Sequence, residues 1–392
     1  MLTTSPVIDR QSAPAPGPTS GALPGSPPSR CGASAVTAAA PRLAAAVVGA
    51  AGYTGALLCE LLLRHPGVSL VQASSGQLAG EPVAAHLPRL RTPLAFCAPA
   101  EVGGIDIAFV CAPHGEAAPV VARLLRGGAR VIDLSADFRL SAADYEEWYG
   151  AHPCPGLLTE AVYGLTELQK PAIAGARLVA NPGCYPTAAL LGLAPLAPLG
   201  LTDLVVDAKS GVSGAGKTPS ARTHFCSIDS DLVAYGLGGH RHYPEIAGGL
   251  ATLARTAFGQ TCAAGAASGD TAGAAAVCPA PTVTFVPHLM PVARGIVATM
   301  YARCERLPSA GELAGLYDDA YAGEEFVVVG AAPPELKDVV GTNGCRIFAT
   351  VDERAGRVIV VAAIDNLMKG AAGQAVQNLN VMCGYPEHWG LS

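Results

Sequence analysis

Residues 43–48 are apolar without interruption, the pattern of a strand buried on both faces, and Gly49-Ala50-Ala51-Gly52-Tyr53-Thr54-Gly55 follows at once. Leu57, Leu58, Leu61 and Leu62 then recur at helical spacing over residues 56–64, Pro66 stops that helix, and residues 68–73 read as a second strand. The alternation continues. Residues 105–111 predict a strand ending in Ala112-Pro113-His114-Gly115, residues 117–125 a helix, and residues 129–134 a strand ending at Ser135. Residues 178–180 predict a short strand running into Asn181-Pro182-Gly183-Cys184. This order predicts an α/β fold with a Rossmann-type parallel sheet, whose ligands sit at the carboxyl ends of the strands.

Beyond a helix starting near Pro186 the texture changes. Residues 204–208, 282–287, 295–301, 346–351 and 357–363 are strand-like with fewer helices between them, which predicts a second, α+β domain on a mixed or antiparallel sheet. The Gly/Ala/Ser-rich stretch 259–281, with Cys262 and Cys278, reads as an irregular insertion loop. In residues 370–382, Ala372, Val376, Leu379 and Met382 keep helical spacing, so the tail is expected to be a C-terminal helix packing back on the first domain. The division expected is therefore 42–185, 186–363 and 364–392. Residues 1–41 stand apart: they are dominated by Ser, Ala, Pro and Gly with Asp9 as the one acid, a composition shared by disordered extensions and plastid transit peptides.

With 392 residues, half of them hydrophobic, the chain can build two cores. A net charge of −6 and the absence of any Lys/Arg cluster argue against a nucleic-acid partner, and the apolar runs are too short for a membrane span. The twelve cysteines are scattered, with no CxxC and no Cys/His ligand set; no metal site is expected, and the usage suits a reducing, cytoplasmic compartment, or a plastid if residues 1–41 are a transit peptide.

Three segments carry candidate chemistry. Gly49, Gly52, Tyr53, Thr54 and Gly55 form a GxxGxxG turn between strand and helix, where unpaired N–H groups favour a pyrophosphate. The second strand ends at Ala73-Ser74-Ser75 with no acid before Glu81, so Ser74 and Ser75 are free to meet a 2′-phosphate, which favours NADP over NAD. His114 and Ser135, at strand ends, join this cofactor set. Next, Cys184 opens a helix, a position expected to lower its thiol pKa and make it a nucleophile. A base is offered by His240-Arg241-His242, with Glu245 three residues on. Finally, Gly211 to Thr218 satisfies the phosphate-loop pattern GxxxxGK[ST], but Pro219 follows where that loop must open a helix. Lys209, Ser210, Ser213 and Lys217 remain candidate donors to a substrate phosphate.

From Leu43 to the C-terminus the chain resembles the N-acetyl-gamma-glutamyl-phosphate reductase family, relatives of aspartate-semialdehyde dehydrogenase. The likeness is carried by GAAGYTG, VIDLSADFRL, VYGLTE, NPGCYPT, DAKSGVSGAGK, HRHYPEI, PHLMPVARG and DNLMKGAAGQAVQNLN. It implies NADPH as cofactor, a small-molecule acyl phosphate as substrate and a homo-oligomer, dimer or tetramer. On the matching positions Cys184 is the nucleophile. The base comes from the HRH motif, His240 being preferred with Glu245 as its orienting partner and His242 left open. Lys209, Ser210, Ser213 and Arg241 would hold the phosphate, and Asn366 belongs to the tail that returns to the cofactor domain. Three features depart from the family: Ser75-Gly76-Gln77 stands where an Arg-containing segment is common, the 259–281 insertion is unusual, and the N-terminal extension is extra.

Overall fold

The computed structural model describes residues 42–265 and 281–391. The N-terminal extension and most of the 259–281 insertion lie outside the described residues. The first sheet contains β1 (Leu43–Val48), β2 (Val68–Ser74), β3 (Phe96–Cys97), β4 (Ile107–Val110), β5 (Arg130–Asp133), β6 (Ala161–Tyr163) and β7 (Leu178–Ala180) in the order β3-β2-β1-β4-β5-β7-β6. Every pairing is parallel. The order reverses between β1 and β4, so a crevice opens at their carboxyl ends. The second sheet holds β8 (Leu201–Gly211), β9 (Val233–Ala234), β10 (Thr282–Met290), β11 (Ile296–Cys304), β12 (Val327–Val329), β13 (Cys345–Asp352) and β14 (Arg357–Ile364), ordered β12-β13-β14-β11-β8-β10-β9. It is mixed, since β8 pairs parallel with β10 and antiparallel with β11.

The helices are α1 (Tyr53–Arg64), α2 (Val83–His86), α3 (Ala117–Arg126), α4 (Ala142–Tyr149), α5 (Thr166–Ala174), α6 (Cys184–Leu193), α7 (Phe225–Ile228), α8 (Tyr243–Gly265), α9 (Ala310–Tyr321) and α10 (Gly373–Cys383). Helix α6 is apolar all round because it is enclosed: Ala188 to Leu191 and Leu193 pack among Val206, Ala208, Ala298, Met300 and Val360 of the sheet and Ile246 and Leu250 of α8. Helix α8 was not legible as a helix, and it carries the chain to Gly265, past the point where irregular structure was expected.

Strand alternation splits β8 between two environments. Leu204, Val206 and Ala208 face the core, whereas Val205, Asp207 and Lys209 point to the half-exposed opposite face. The tail meets its expectation with a refinement. A π-helical turn, Met368–Ala372, precedes α10, and Val376, Leu379 and Met382 join Leu58, Leu62 and Ile173 in the core of the first sheet. Within that turn Lys369 is fully buried, its Nζ 2.5 Å from Glu167 Oε1 and 2.7 Å from Gln377 Oε1. Removing one partner strands a buried charge. Lys369→Met should therefore cost about 3–5 kcal/mol, seen as a lower urea midpoint, and adding Glu167→Leu should restore most of the loss.

Candidate active site

The crevice predicted by the strand order is a cavity of about 350 Å³ between the two sheets, lined by the glycine turn, His114, Ser135, Gly183, Cys184, Ser213, His242 and Asn366 among others. Its floor fits a dinucleotide. Gly49 has φ of +78° and sits so close to β4 that a Cβ there would lie 2.6 Å from the Cys111 carbonyl oxygen; one at Gly55 would lie 2.3 Å from the Gly49 carbonyl oxygen. Among the described residues no side chain caps the N-terminus of α1 and no acid stands in its first turn, so its N–H groups face the cavity with a positive helix end. Tyr53 and Thr54 line the same wall. Ser74 ends β2 and Ser75 follows it, but Ser74 is fully buried and the Ser75 hydroxyl accepts the Leu78 N–H at 3.3 Å; neither lines the cavity.

Around β5 the polar groups are locked together. Ser135 Oγ donates to Asp133 Oδ2 at 2.6 Å, and burial raises the Asp133 carboxyl to about 7. Asp137 accepts the N–H groups of Gly115 and Ala118 at the start of α3 and the hydroxyl of Tyr145. His114 Nδ1 accepts the Ala136 N–H at 3.1 Å, which leaves the ring proton on Nε2. Burial and then Arg139 hold its pKa below 6.5, so His114 is a neutral donor at the crevice.

Cys184 is the first residue of α6, next to a second pocket of about 360 Å³ lined by His114, Tyr149, Cys184, Tyr185, Ser210, Tyr235, His240, Arg241 and His242. Its pKa does not fall as the helix position suggested. Burial raises the thiol to about 11, outweighing the Tyr185 N–H and Arg139, which act the other way, and Glu245 adds to the rise. The resting group is a thiol that needs a base.

The two histidines of the motif have different surroundings. His240 Nδ1 accepts the His242 N–H at 3.0 Å, and its ring packs edge-on against Tyr185 and Phe285, with Tyr235 alongside. Burial takes its pKa down to about 4. His242 lines both pockets, and its Nε2 lies where a Cβ on Gly183 would meet it at 2.6 Å. Burial, then His240, Arg139 and His114, push its pKa well below 6.5, and its Nδ1 is buried with no partner among the described residues.

Glu245 bonds neither histidine. Its Oε1 accepts the Gly183 N–H at 2.8 Å and the Tyr163 hydroxyl at 2.8 Å, and its Oε2 pairs with Arg139 Nη1 at 3.4 Å. Its carboxylate therefore fixes the turn before Cys184 instead of orienting a base. Arg139, a buried side chain absent from the sequence-derived set, completes this frame by donating from Nε to the Asn181 carbonyl at 2.7 Å and from Nη2 to the Leu134 carbonyl at 2.8 Å. Its sequence signal was the single cation in the Ala136-Asp137-Phe138-Arg139-Leu140 run that follows a strand end.

The phosphate candidates separate. Lys209 is on the far face of its sheet, where its Nζ pairs with Asp207 Oδ2 at 2.5 Å, so strand alternation removes it from the site of its own chain. Ser210, buried, and Arg241, exposed with its guanidinium 5.3 Å from the Tyr149 ring centroid, line the Cys184 pocket. Ser213 Oγ accepts from Asn366 Nδ2 at 2.9 Å, and Asn366 Oδ1 accepts the Gly295 N–H at 2.7 Å. Asn366 thus ties the tail to the loop above the cleft.

Comparison with known proteins gives two family matches along the chain. Residues 44–176 match the model for the semialdehyde dehydrogenase NAD-binding domain, and residues 184–263 and 270–366 that for the semialdehyde dehydrogenase dimerisation domain. The N-acetyl-gamma-glutamyl-phosphate reductase of a Dehalococcoides mccartyi strain is 47% identical over 352 residues, covering 88% of this chain and 96% of its own. That of Geobacter sulfurreducens is 46% identical over 361 residues, covering 89% and 98%. Among solved structures, aspartate semialdehyde dehydrogenase II from Vibrio cholerae shares the fold with a TM-score of 0.65 at 18% identity, covering 88% of this chain and 99% of its own.

Proposed function

Because the chain belongs to the N-acetyl-gamma-glutamyl-phosphate reductase family of oxidoreductases, we propose that it reduces N-acetyl-glutamyl 5-phosphate to N-acetylglutamate 5-semialdehyde and phosphate with NADPH, in arginine biosynthesis, through a thioester on Cys184. The observation that carries this reading is the place of Cys184, at a helix N-terminus where the dinucleotide cleft and the second pocket meet. Gly49, Gly52, Thr54 and Gly55 hold the pyrophosphate, and the absence of an acid at the end of β2 favours the 2′-phosphate of NADP. A bound reduced nicotinamide supplies the hydride.

His242 takes the Cys184 proton as the sulfur attacks the acyl carbon, a C–S bond forms, and the C–O bond to phosphate breaks. Arg241 and Ser210 hold the departing phosphate, which takes up from water the one proton that the overall reduction consumes. The Cys184 backbone N–H and the His114 Nε2–H, both lining these pockets, stabilise negative charge on the acyl oxygen. When the reduced carbon releases sulfur, the thiolate recovers its proton from His242.

Phosphate-dependent oxidation of N-acetylglutamate 5-semialdehyde, assayed with NADP and with NAD, tests the reading. Reduction of NADP is expected; no turnover, or equal turnover of unacetylated aspartate semialdehyde, would overturn it. Because burial depresses the His242 pKa, the acid limb of kcat/KM should lie below 6.5, leaving the rate level from about pH 7 to 8. A limb near or above 6.5 in the pH-rate profile would remove His242 as the base.

The half-exposed face of the second sheet, with Val205, Val297, Tyr301 and Val361, is the surface we assign to a second copy. Light scattering should report an oligomer.

A further inference from the structure

The GVSGAGKT segment has a phosphate-loop spelling and no phosphate-loop fold. Val212–Ala215 is a single 3-10 turn, Gly216 turns the chain at a φ of +85°, and no helix follows at once. The loop leaves the carboxyl end of β8 and crosses the cleft. Lys217 Nζ donates to the Ala51 carbonyl oxygen at 3.2 Å, a contact that joins the second sheet's loop to the glycine turn of the first. Backbone bonds hold the loop in place: Val212 N–H to the Val292 carbonyl at 2.9 Å and Ser213 N–H to the Ala293 carbonyl at 3.1 Å. The Asn366–Ser213 bond adds a third tie.

This placement sets two positive groups against one cavity. An ammonium stands beside the positive N-terminus of α1, whose first turn has no acid, and like charges repel there. Lys217 and the α1 turn line the same cavity, and a lysine has three donors, of which the Ala51 carbonyl takes one. On the dinucleotide reading above, we propose that Lys217 is a cofactor-binding residue that reaches over from the second domain to clamp the pyrophosphate against the α1 N-terminus. A diphosphate between them relieves the repulsion and draws both halves of the cleft together.

Equilibrium binding, read by quenching of protein fluorescence and by calorimetry, tests this with NADPH and NADH on the full chain. Lys217→Met should weaken both by the same factor, about 10- to 100-fold, the worth of a charge-assisted hydrogen bond. Lys217→Arg should restore most of the affinity, and Lys217→Gln, which keeps a neutral donor, should fall between. Loss confined to NADPH would mean contact with the 2′-phosphate and overturn the clamp. Unchanged affinity in both Lys217→Met and Lys217→Gln would also overturn it. Failure of the wild type to bind either dinucleotide would instead sink the reading beneath.

Discussion

Cys184→Ser is expected to lower turnover by about 10⁴-fold or more, as loss of a covalent nucleophile does elsewhere, while NADPH still binds with wild-type affinity. The hydroxyl is nearly the size of the thiol, so the cleft keeps its shape. What changes is the chemistry of attack. Steady-state rates and a fluorescence titration on the same preparation separate the two effects. If the variant kept even a tenth of wild-type turnover, hydride delivery would have to occur without a thioester, and the covalent route would be wrong.

The size of that effect follows from how the thiol is held. Forming a free thiolate at pH 7.5 from a group at about 11 costs roughly 5 kcal/mol, too much for a resting ion pair to be taken for granted. The same enclosure that raises the thiol lowers His242, because burial disfavours each charged form. Both shifts favour a neutral thiol and imidazole at rest. Proton transfer is then coupled to attack, when the new imidazolium is offset by charge on the substrate and its phosphate. A serine at this position, harder still to ionise, would leave His242 too weak a base.

Much of the first sheet was legible because its strands are buried on both faces and announce themselves as apolar runs, as Leu43–Val48 and Leu178–Ala180 do. Cys184 was legible as a position, since a Pro-Gly turn before a helix is a local signal. Its titration was not, because burial is a tertiary property. The same limit explains Glu245: three residues from His242 in sequence, it spends its oxygens on Gly183, Tyr163 and Arg139, partners 62, 82 and 106 positions away. Lys209 failed for another reason. Motif membership placed it beside Ser210, but adjacent residues on a strand face opposite ways, and only Ser210 turns toward Cys184. Helix α8 hid because Gly248 and Gly249 weaken its helical signal. Close packing on Leu190 of α6 explains the second of them, since a Cβ at Gly249 would lie 2.7 Å from that side chain.

Gly183→Ala probes the frame around the nucleophile without replacing any group that reacts. Its φ of −69° and ψ of 156° suit alanine, so the backbone is not strained by the change. The space is the obstacle: the new methyl would lie 2.6 Å from His242 Nε2 and 3.0 Å from both Arg139 Nη1 and Glu245 Oε2. Arg139 and Glu245 are pinned by their other bonds, so the histidine ring is the member that yields. A displacement of about 1 Å at a reacting group costs on the order of 10²-fold, and kcat should fall by about that much. As the ring moves toward water its desolvation lessens, so the acid limb of the pH-rate profile should rise toward 6.5. Overpacking costs stability of about 1–3 kcal/mol, which thermal unfolding would register in any case. The moving limb is the discriminating readout: a fall in kcat with the limb unshifted would mean that His242 is not the group that receives the Cys184 proton.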